Sequence, residues 1–596
     1  MMNVRLLTLT VAALVAVSAS DARAQGKLNR FGNPPTLAPA PTSPAVTVKD
    51  LQIRLYQFAD DSMQGRQIGR LGNKKGTDYI AAEMKRLGAV PAGDNGTFFQ
   101  VLPYHLRQFT NHSRLQVDGN PLAWEKDWVA VPGVRLPRAI SNAPVIFGGV
   151  AGDTTKQITA AQANGKFVVL LPAPPAPPTA GGRFGFAPPP TRLNGAVAVA
   201  TINLDDLTAA QRAAINQPTQ ATSSAVRMFG GRPGGQAAPP DSLTIYRQLV
   251  DMLQPQANIR LTKGAAAKLF GRANIDGIPL GTTGGNVTAS LDFIELPTEF
   301  ARNVVAIIPG SDPVLKHQYV AIGAHNDHVG FSTTPVDKDS VKAFNDIRNR
   351  LLLANNMMTL DPQKVAAIRV NMDSIRKAHP KPRLDSIRNG ADDDGSGSMG
   401  VLEIAEYIAS MKMKPKRSTL FVWHTGEEAG LIGSSYFVNN PTVPLDSVVA
   451  QINIDMIGRG RAEDLPGGGD DYVGVIGSNF DSKDLGEQVL AVNKKQAKPL
   501  TLDFKFDTTI SWSGYNNLYS RSDHINYARA GIPIAFFFTG LHGDYHQLSD
   551  EPEYIDYPHY AKIANYLKDL TVEVGNGPRP RINGTKPSRP PRSAVP

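Results

Sequence analysis

Histidines and carboxylates of this 596-residue chain gather at the ends of apolar, strand-like runs. His325-Asn326-Asp327-His328 follows the run 319–324, Glu427-Glu428 comes after 419–423, Asp455 directly follows 448–454, and His546 lies beyond 534–538. Asp392-Asp393-Asp394 stands in a loop between the first two of these runs. Singly each is commonplace, since a lone histidine is usually a satisfied core or surface residue and Asp-Asp-Asp-Gly is usually a solvated turn. Together, two neutral imidazoles and three carboxylates are what a pair of divalent cations requires. One carboxylate can bridge while each ion takes one histidine and one further carboxylate, which leaves room for a shared water. A site of that kind activates water against a polarised carbonyl, so the implied chemistry is hydrolysis.

Those groups are far apart in sequence, and only a particular architecture brings them together. From Asn303 onward, apolar runs at 303–308, 319–324, 419–423, 448–454 and 534–538 alternate with helical stretches. This is the signature of an α/β fold whose strands are covered on both faces. The carboxyl ends of parallel strands in an open sheet share one crevice, so the five segments are expected to converge there. Val401, Leu402, Ala405 and Ile408 form an apolar helical face directly after Asp392-Asp393-Asp394, with Ser396 or Ser398 available as a cap. Between the 319–324 run and that helix, a helical insertion at about 331–389 is expected at the rim of the site, with helices at 341–357 and 362–379.

Further upstream, 48–58 and 74–87 carry helical periodicity, the second with Tyr79, Ile80, Met84 and Leu87 on one face. Short β-type runs at 144–147 and 166–171, set among Pro/Gly-rich loops at 172–190 and 230–240, mark an inserted β-rich domain over 141–295. Residues 1–24 read as an export signal: Arg5 supplies the positive region, 6–17 the apolar one, and Ala22-Arg23-Ala24 the cleavage site. An apolar run of about twelve residues is short of the roughly 20 that span a bilayer. A Pro-rich leader (25–46), two segments that flank the insert and carry the main domain (47–140 and 296–574) and a disordered basic Pro-rich tail (575–596) complete the expected organisation.

Composition bounds the remaining classes. A hydrophobic fraction of 41% with 19% charged residues describes a folded chain and excludes collagen, coiled coil and wholesale disorder. Lys and Arg exceed Asp and Glu by 62 to 53, but much of that excess lies in Arg579, Arg581, Lys586, Arg589 and Arg592. No basic stripe interleaved with aromatics runs through the body, so nucleic acid is not an expected partner. With 0 cysteines, disulfides, thiol nucleophiles and Cys-ligated zinc are excluded, which suits an exported bacterial protein in the periplasm or outside the cell.

Gly323-Ala324-His325-Asn326-Asp327-His328, Gly390-Ala391-Asp392-Asp393-Asp394-Gly395-Ser396-Gly397, Gly426-Glu427-Glu428-Ala429-Gly430, Asn453-Ile454-Asp455-Met456 and Asp544-Tyr545-His546 resemble, in order, the metal motifs of the M28 family of zinc peptidases. The resemblance covers about 47–140 and 296–573, and the β-rich piece between is similar to the protease-associated (PA) domain inserted in many members. It implies a phosphorylase/hydrolase-like three-layer α/β sandwich with a mixed, mainly parallel central sheet and two zinc ions per chain. His325 and Asp455 would bind one zinc, Glu428 and His546 the other, and Asp393 would bridge. Glu427 would be the general base, Asp327 a carboxylate orienting the His325 imidazole, and Tyr545 a hydroxyl donor to the substrate carbonyl or simply a packing residue.

This reading makes the chain an exported di-zinc exopeptidase acting on peptides, an aminopeptidase in the first instance. The alternatives are a carboxypeptidase of glutamate-carboxypeptidase type, a single-zinc cyclase, and a non-catalytic receptor that keeps the fold. His328, His424, Ser522-Asp523-His524 and His542 lie in or near the motifs but are not required for the metal sphere. Neither Gly-x-Ser-x-Gly nor His-Glu-x-x-His occurs, which argues against a serine hydrolase and the commonest zincin layout.

Overall fold

The computed structural model describes residues 31–131, 137–151, 154–172, 193, 195–207, 219–221, 256–354, 364–365, 367–508 and 518–584. The expected signal segment 1–24 lies outside the described residues, as do most of the loops 172–190 and 230–240.

The apolar runs of the C-terminal half build the centre of a nine-stranded mixed sheet. Ser418–His424, Tyr319–His325, Val448–Ile454 and Ile534–Phe538 lie side by side and parallel. Their burial is continuous instead of alternating, as strands covered on both faces require. Antiparallel strands flank them, Arg302–Ile308 against Ser418–His424 on one side and Tyr472–Ile476 against Ile534–Phe538 on the other.

One face of the sheet is covered by Val48–Phe58, Leu71–Arg86, Gly397–Ser410, Lys483–Lys495 and Tyr557–Asn576. The opposite face is covered by Ile432–Asn439 and His524–Arg529. Helix Val48–Phe58 begins at Thr47, whose hydroxyl accepts the amide of Asp50 at 3.1 Å. Its neighbour Gly397–Ser410 is buried on nearly every side, and Arg54 reaches across to Glu403 and Glu406. Charges this deep must be paired, because an isolated one would cost several kcal/mol of solvation.

A second, eight-stranded sheet has its own apolar core. The expected start of this β-rich unit at 141 falls inside the strand Ala139–Val150, and the sheet takes in strands from Arg114 onward. The reason is non-local pairing: Arg114–Val117 is held by Thr283–Ser290, a partner that sequence order does not reveal. The unit leaves the chain at Phe109 and returns at Phe293, which face each other across an antiparallel pair.

The insertion takes the form of a hairpin-like base with helices above it. Phe331–Asp337 pairs with Leu384–Ile387, and between them stand Lys338–Ala354 and Met372–Ala378. The second helix is shorter than the expected 362–379, whose residues 362–363 and 366 lie outside the described residues.

At the C-terminus the expected disordered tail 575–596 requires correction over 575–584. Helix Tyr557–Asn576 runs into it, Arg581 pairs with Asp484 at 2.8 Å, and the Asn583 amide donates to the Asp481 carbonyl at 2.9 Å. A Pro/Arg composition reads as solvated, but the Arg581 side chain finds an acidic partner on helix Lys483–Lys495. Residues 585–596 lie outside the described residues. Among the described residues no helix is long and apolar enough to cross a membrane.

Candidate metal centre

Apart from Asp393, which lies in the turn before helix Gly397–Ser410, the site residues stand at or beyond the ends of parallel strands. His325 closes its strand, Glu427 and Glu428 follow Ser418–His424, and Asp455 follows Val448–Ile454. Four adjacent parallel strands therefore deliver their carboxyl ends to one crevice, as the topology rule for open sheets requires.

The Asp392-Asp393-Asp394 turn divides its labour. Asp394 accepts the amides of His325 (3.0 Å), Gly397 (2.8 Å) and Met456 (3.2 Å), tying two strand ends to the helix start. It thereby does the capping expected of Ser396 or Ser398. Ser396 instead donates to Asp392 at 2.8 Å, and Ser398 donates to the His325 carbonyl at 2.6 Å. Asp392 accepts the Gly458 amide at 2.7 Å. Asp550 accepts the amides of Asp392 (2.9 Å) and Asp393 (3.1 Å), which leaves the Asp393 carboxylate directed into the crevice.

Around Asp393 the side chains form two overlapping sets. His325, Asp393 and Asp455 make one, and His328, Asp393, Glu428 and His546 make the other, each able to offer ligand atoms within 4.8 Å of one another. His325 Nε2 lies 3.1 Å from Asp393 Oδ1 and 3.8 Å from Asp455 Oδ1. His546 Nε2 lies 3.0 Å from both Asp393 Oδ2 and Glu428 Oε2. His546 holds φ +58, a left-handed conformation uncommon for a side-chain-bearing residue and frequent at functional sites. Burial pushes Asp455 up to about 7 and Glu427 well above the usual carboxylate range. Burial acts the same way on Asp393, but His325 and His546 hold its carboxyl well below that range.

The donor set fits divalent ions on a direct observation. His325 Nε2, His546 Nε2 and Asp393 Oδ2 are buried without a hydrogen-bond partner among the described residues although they lie at contact distance from groups of complementary charge. Two ligands held at about 2.0–2.2 Å from one ion are spaced roughly 3 Å apart, with both lone pairs aimed at the ion and not at each other. His325 Nδ1 faces the Asp327 carbonyl at 3.0 Å, and a carbonyl can only accept. Nδ1 therefore carries a proton, which in the neutral ring leaves the Nε2 lone pair to face the crevice.

That geometry corrects the expected role of Asp327. Its main-chain oxygen orients His325, while its carboxylate stands 3.7 Å from the ring and accepts the Glu427 amide at 3.1 Å. The carboxylate thus holds the Glu427 backbone, a role that spacing alone could not distinguish. Tyr545 stacks its ring on His546, with centroids 3.8 Å apart.

The other histidines near the motifs separate clearly. His424 is buried against the Tyr527 hydroxyl at 2.9 Å, and its pKa is lowered to about 3 by burial. His524 faces the Tyr519 carbonyl at 2.8 Å and stacks on Phe536, while Ser522 accepts from Asn453, so no Ser-His-Asp relay forms. His542 sits 3.1 Å from Asp392. His328, set aside in the sequence because the ligand sphere closes without it, joins the Glu428 side with Nδ1 2.9 Å from Glu428 Oε1. Its only sequence signal was its place three residues after His325.

Residues 303–571, a little under half of the chain, match the model of peptidase family M28. Among curated relatives, a probable leucine aminopeptidase of Arthroderma otae is 30% identical over 211 residues, covering 35% of this chain and 52% of that protein. Leupeptin-inactivating enzyme 1 of Streptomyces exfoliatus is 34% identical over 160 residues, covering 26% of this chain and 31% of that one. The chain thus spans about half the length, or less, of the curated relatives it matches. Of solved structures, BSAP, a zinc aminopeptidase from Bacillus subtilis, aligns over 89% of this chain and 96% of its own at 17% identity and a TM-score of 0.48.

Proposed function

We propose that this protein is an exported di-zinc exopeptidase that removes residues from the amino ends of peptides. The observation that supports this most directly is the pair of ligand sets sharing Asp393, with His325 and Asp455 on one side and Glu428 and His546 on the other. The names of its curated relatives favour an aminopeptidase over the other exopeptidase types. Two divalent ions held there would supply Lewis acidity, acidifying water and polarising a scissile carbonyl. Glu427, outside both ligand sets and next to Glu428, takes the proton from the attacking water and returns it to the departing amine. Asp327 keeps Glu427 in place through the backbone, and Asp394 and Asp550 keep the Asp393 turn in register.

The β-rich unit over 110–292 contributes none of the proposed ligands and is assigned to substrate access, in the manner of a PA domain. The test is hydrolysis of aminoacyl anilides by zinc-loaded protein, alongside N-acetylated and C-amidated peptides. Cleavage that requires a free amine and tolerates C-amidation is expected. Cleavage that instead requires a free carboxylate would make the protein a carboxypeptidase.

A further inference from the structure

We propose that His328 is a third imidazole ligand of this centre, completing the half formed by Asp393, Glu428 and His546; the inference rests on the di-metal reading above. His328 Nδ1 lies 2.9 Å from Glu428 Oε1 and 3.7 Å from Asp393 Oδ2, and the ring meets that of His546 edge-on at 5.5 Å. Together with one oxygen from each carboxylate and one nitrogen of His546, it closes a four-residue set of ligand atoms.

A hydrogen bond to Glu428 is the simpler role for an imidazole so placed, and the geometry argues against it. Neither ring nitrogen of His328 has a hydrogen-bond partner among the described residues, despite the 2.9 Å separation. The nitrogen lone pair is therefore not directed at the oxygen. His325 Nε2 and His546 Nε2 show the same combination of close carboxylate and missing alignment. Neighbouring ligands converging on a common cation are arranged in this way. Burying the imidazole nitrogen that faces the carboxylates without a partner would otherwise forfeit the hydrogen bond it makes to water in the unfolded chain.

The ring has little freedom to turn elsewhere. It is about 1% exposed, and a Cβ added to Gly390, which holds φ +57, would come within 2.5 Å of its Cγ. The Arg66 guanidinium fixes that wall by donating to the Gly390 carbonyl at 2.9 Å, and the His328 amide donates to the Arg66 carbonyl at 3.2 Å. The imidazole is thus clamped with Nδ1 facing Glu428.

The experiment is X-ray absorption spectroscopy of the zinc-loaded full chain, wild type and His328→Gln, with zinc content and affinity measured on both. Three imidazoles shared by two ions in the wild type, falling to two in the variant, is the expected result. The second ion should also weaken by at least the roughly 10–100-fold that losing an outer partner alone would cost. The wild-type spectrum needs no folded variant, so a misfolded His328→Gln leaves the test intact. Two bound ions with only two imidazoles would overturn this proposal while sparing the di-metal reading. Failure of the wild type to take up any divalent ion would overturn both.

Discussion

Glu427 and Glu428 are the same residue one position apart, and their neighbours separate them. Glu428 is within reach of His546 and belongs to a ligand set, whereas Glu427 hangs its backbone on Asp327 and belongs to none. Consecutive side chains leaving a strand end diverge, so the two cannot share a role. Glu427→Gln should lower kcat by about 10²–10⁴-fold with zinc content nearly unchanged, since the amide keeps the shape but accepts no proton. Glu428→Gln should instead lower zinc affinity, with activity partly restored by added metal. Zinc analysis and peptidase kinetics on both variants decide the matter: loss of zinc from Glu427→Gln with retention in Glu428→Gln would reverse the assignment.

At the scale of elements, the inserted helix Lys338–Ala354 grips the loop that presents Tyr545 and His546. Lys342 stands 3.4 Å from Asp544, Asn345 donates to Ser549 at 2.9 Å, and Ser549 donates to Asp544 at 2.6 Å. Burial alone would raise the Asp544 carboxyl, yet Lys342 and Arg459 hold it well below the usual range. Removing Lys342 takes one of two cations from a buried carboxylate, so Lys342→Met should weaken the ion held with His546 by about 10-fold and Lys342→Arg should restore it. A chelator titration giving identical curves for wild type and Lys342→Met would refute the coupling.

The base of the same insertion rests on Glu551, which faces Lys338 at 3.7 Å and accepts from Asn389 at 3.1 Å. Burial pushes Glu551 up to about 8 from its ordinary 4.5. Between those values the folded state keeps a proton that the unfolded chain has lost, so this group's contribution makes stability fall as pH rises from about 4.5 towards 8. Glu551→Gln should flatten that slope, read as urea midpoints at pH 5, 6.5 and 8. A slope unaltered by the substitution would assign it to other groups.

At the scale of the whole molecule, the chain enters the β-rich unit and leaves it through one antiparallel pair. Phe109 faces Phe293, and the Thr110 amide donates to the Asp292 carbonyl at 2.9 Å. A strand pair that meets at this point can be closed by a two-residue Asn-Gly turn. Replacing 110–292 by that turn should leave zinc stoichiometry unchanged, although it also removes Thr219–Ala221 from the edge of Tyr104–Phe109 and exposes that edge. The variant should therefore bind metal but aggregate more readily. A soluble, folded product that binds no zinc would show that the unit helps to build the centre.

The amino-acid sequence by itself determined the α/β class, four of the five strands as parallel neighbours and the convergence of His325, Asp393, Glu428, Asp455 and His546, whereas the run at 303–308 turned out antiparallel. These are legible because apolar runs record burial, and because the ends of parallel strands must share one side of the sheet. Whatever depends on pairing across long separations was decided only by the tertiary structure. The β-rich unit begins before 141 because Arg114–Val117 finds Thr283–Ser290, and residues 575–584 dock because Arg581 finds Asp484. Asp327 acts on His325 through its carbonyl and on Glu427 through its carboxylate, since atomic direction and not residue type settles which oxygen points where. His328 is the same case: its type suits chemistry or core alike, and only the walls formed by Gly390 and Arg66 turn its nitrogen toward Glu428.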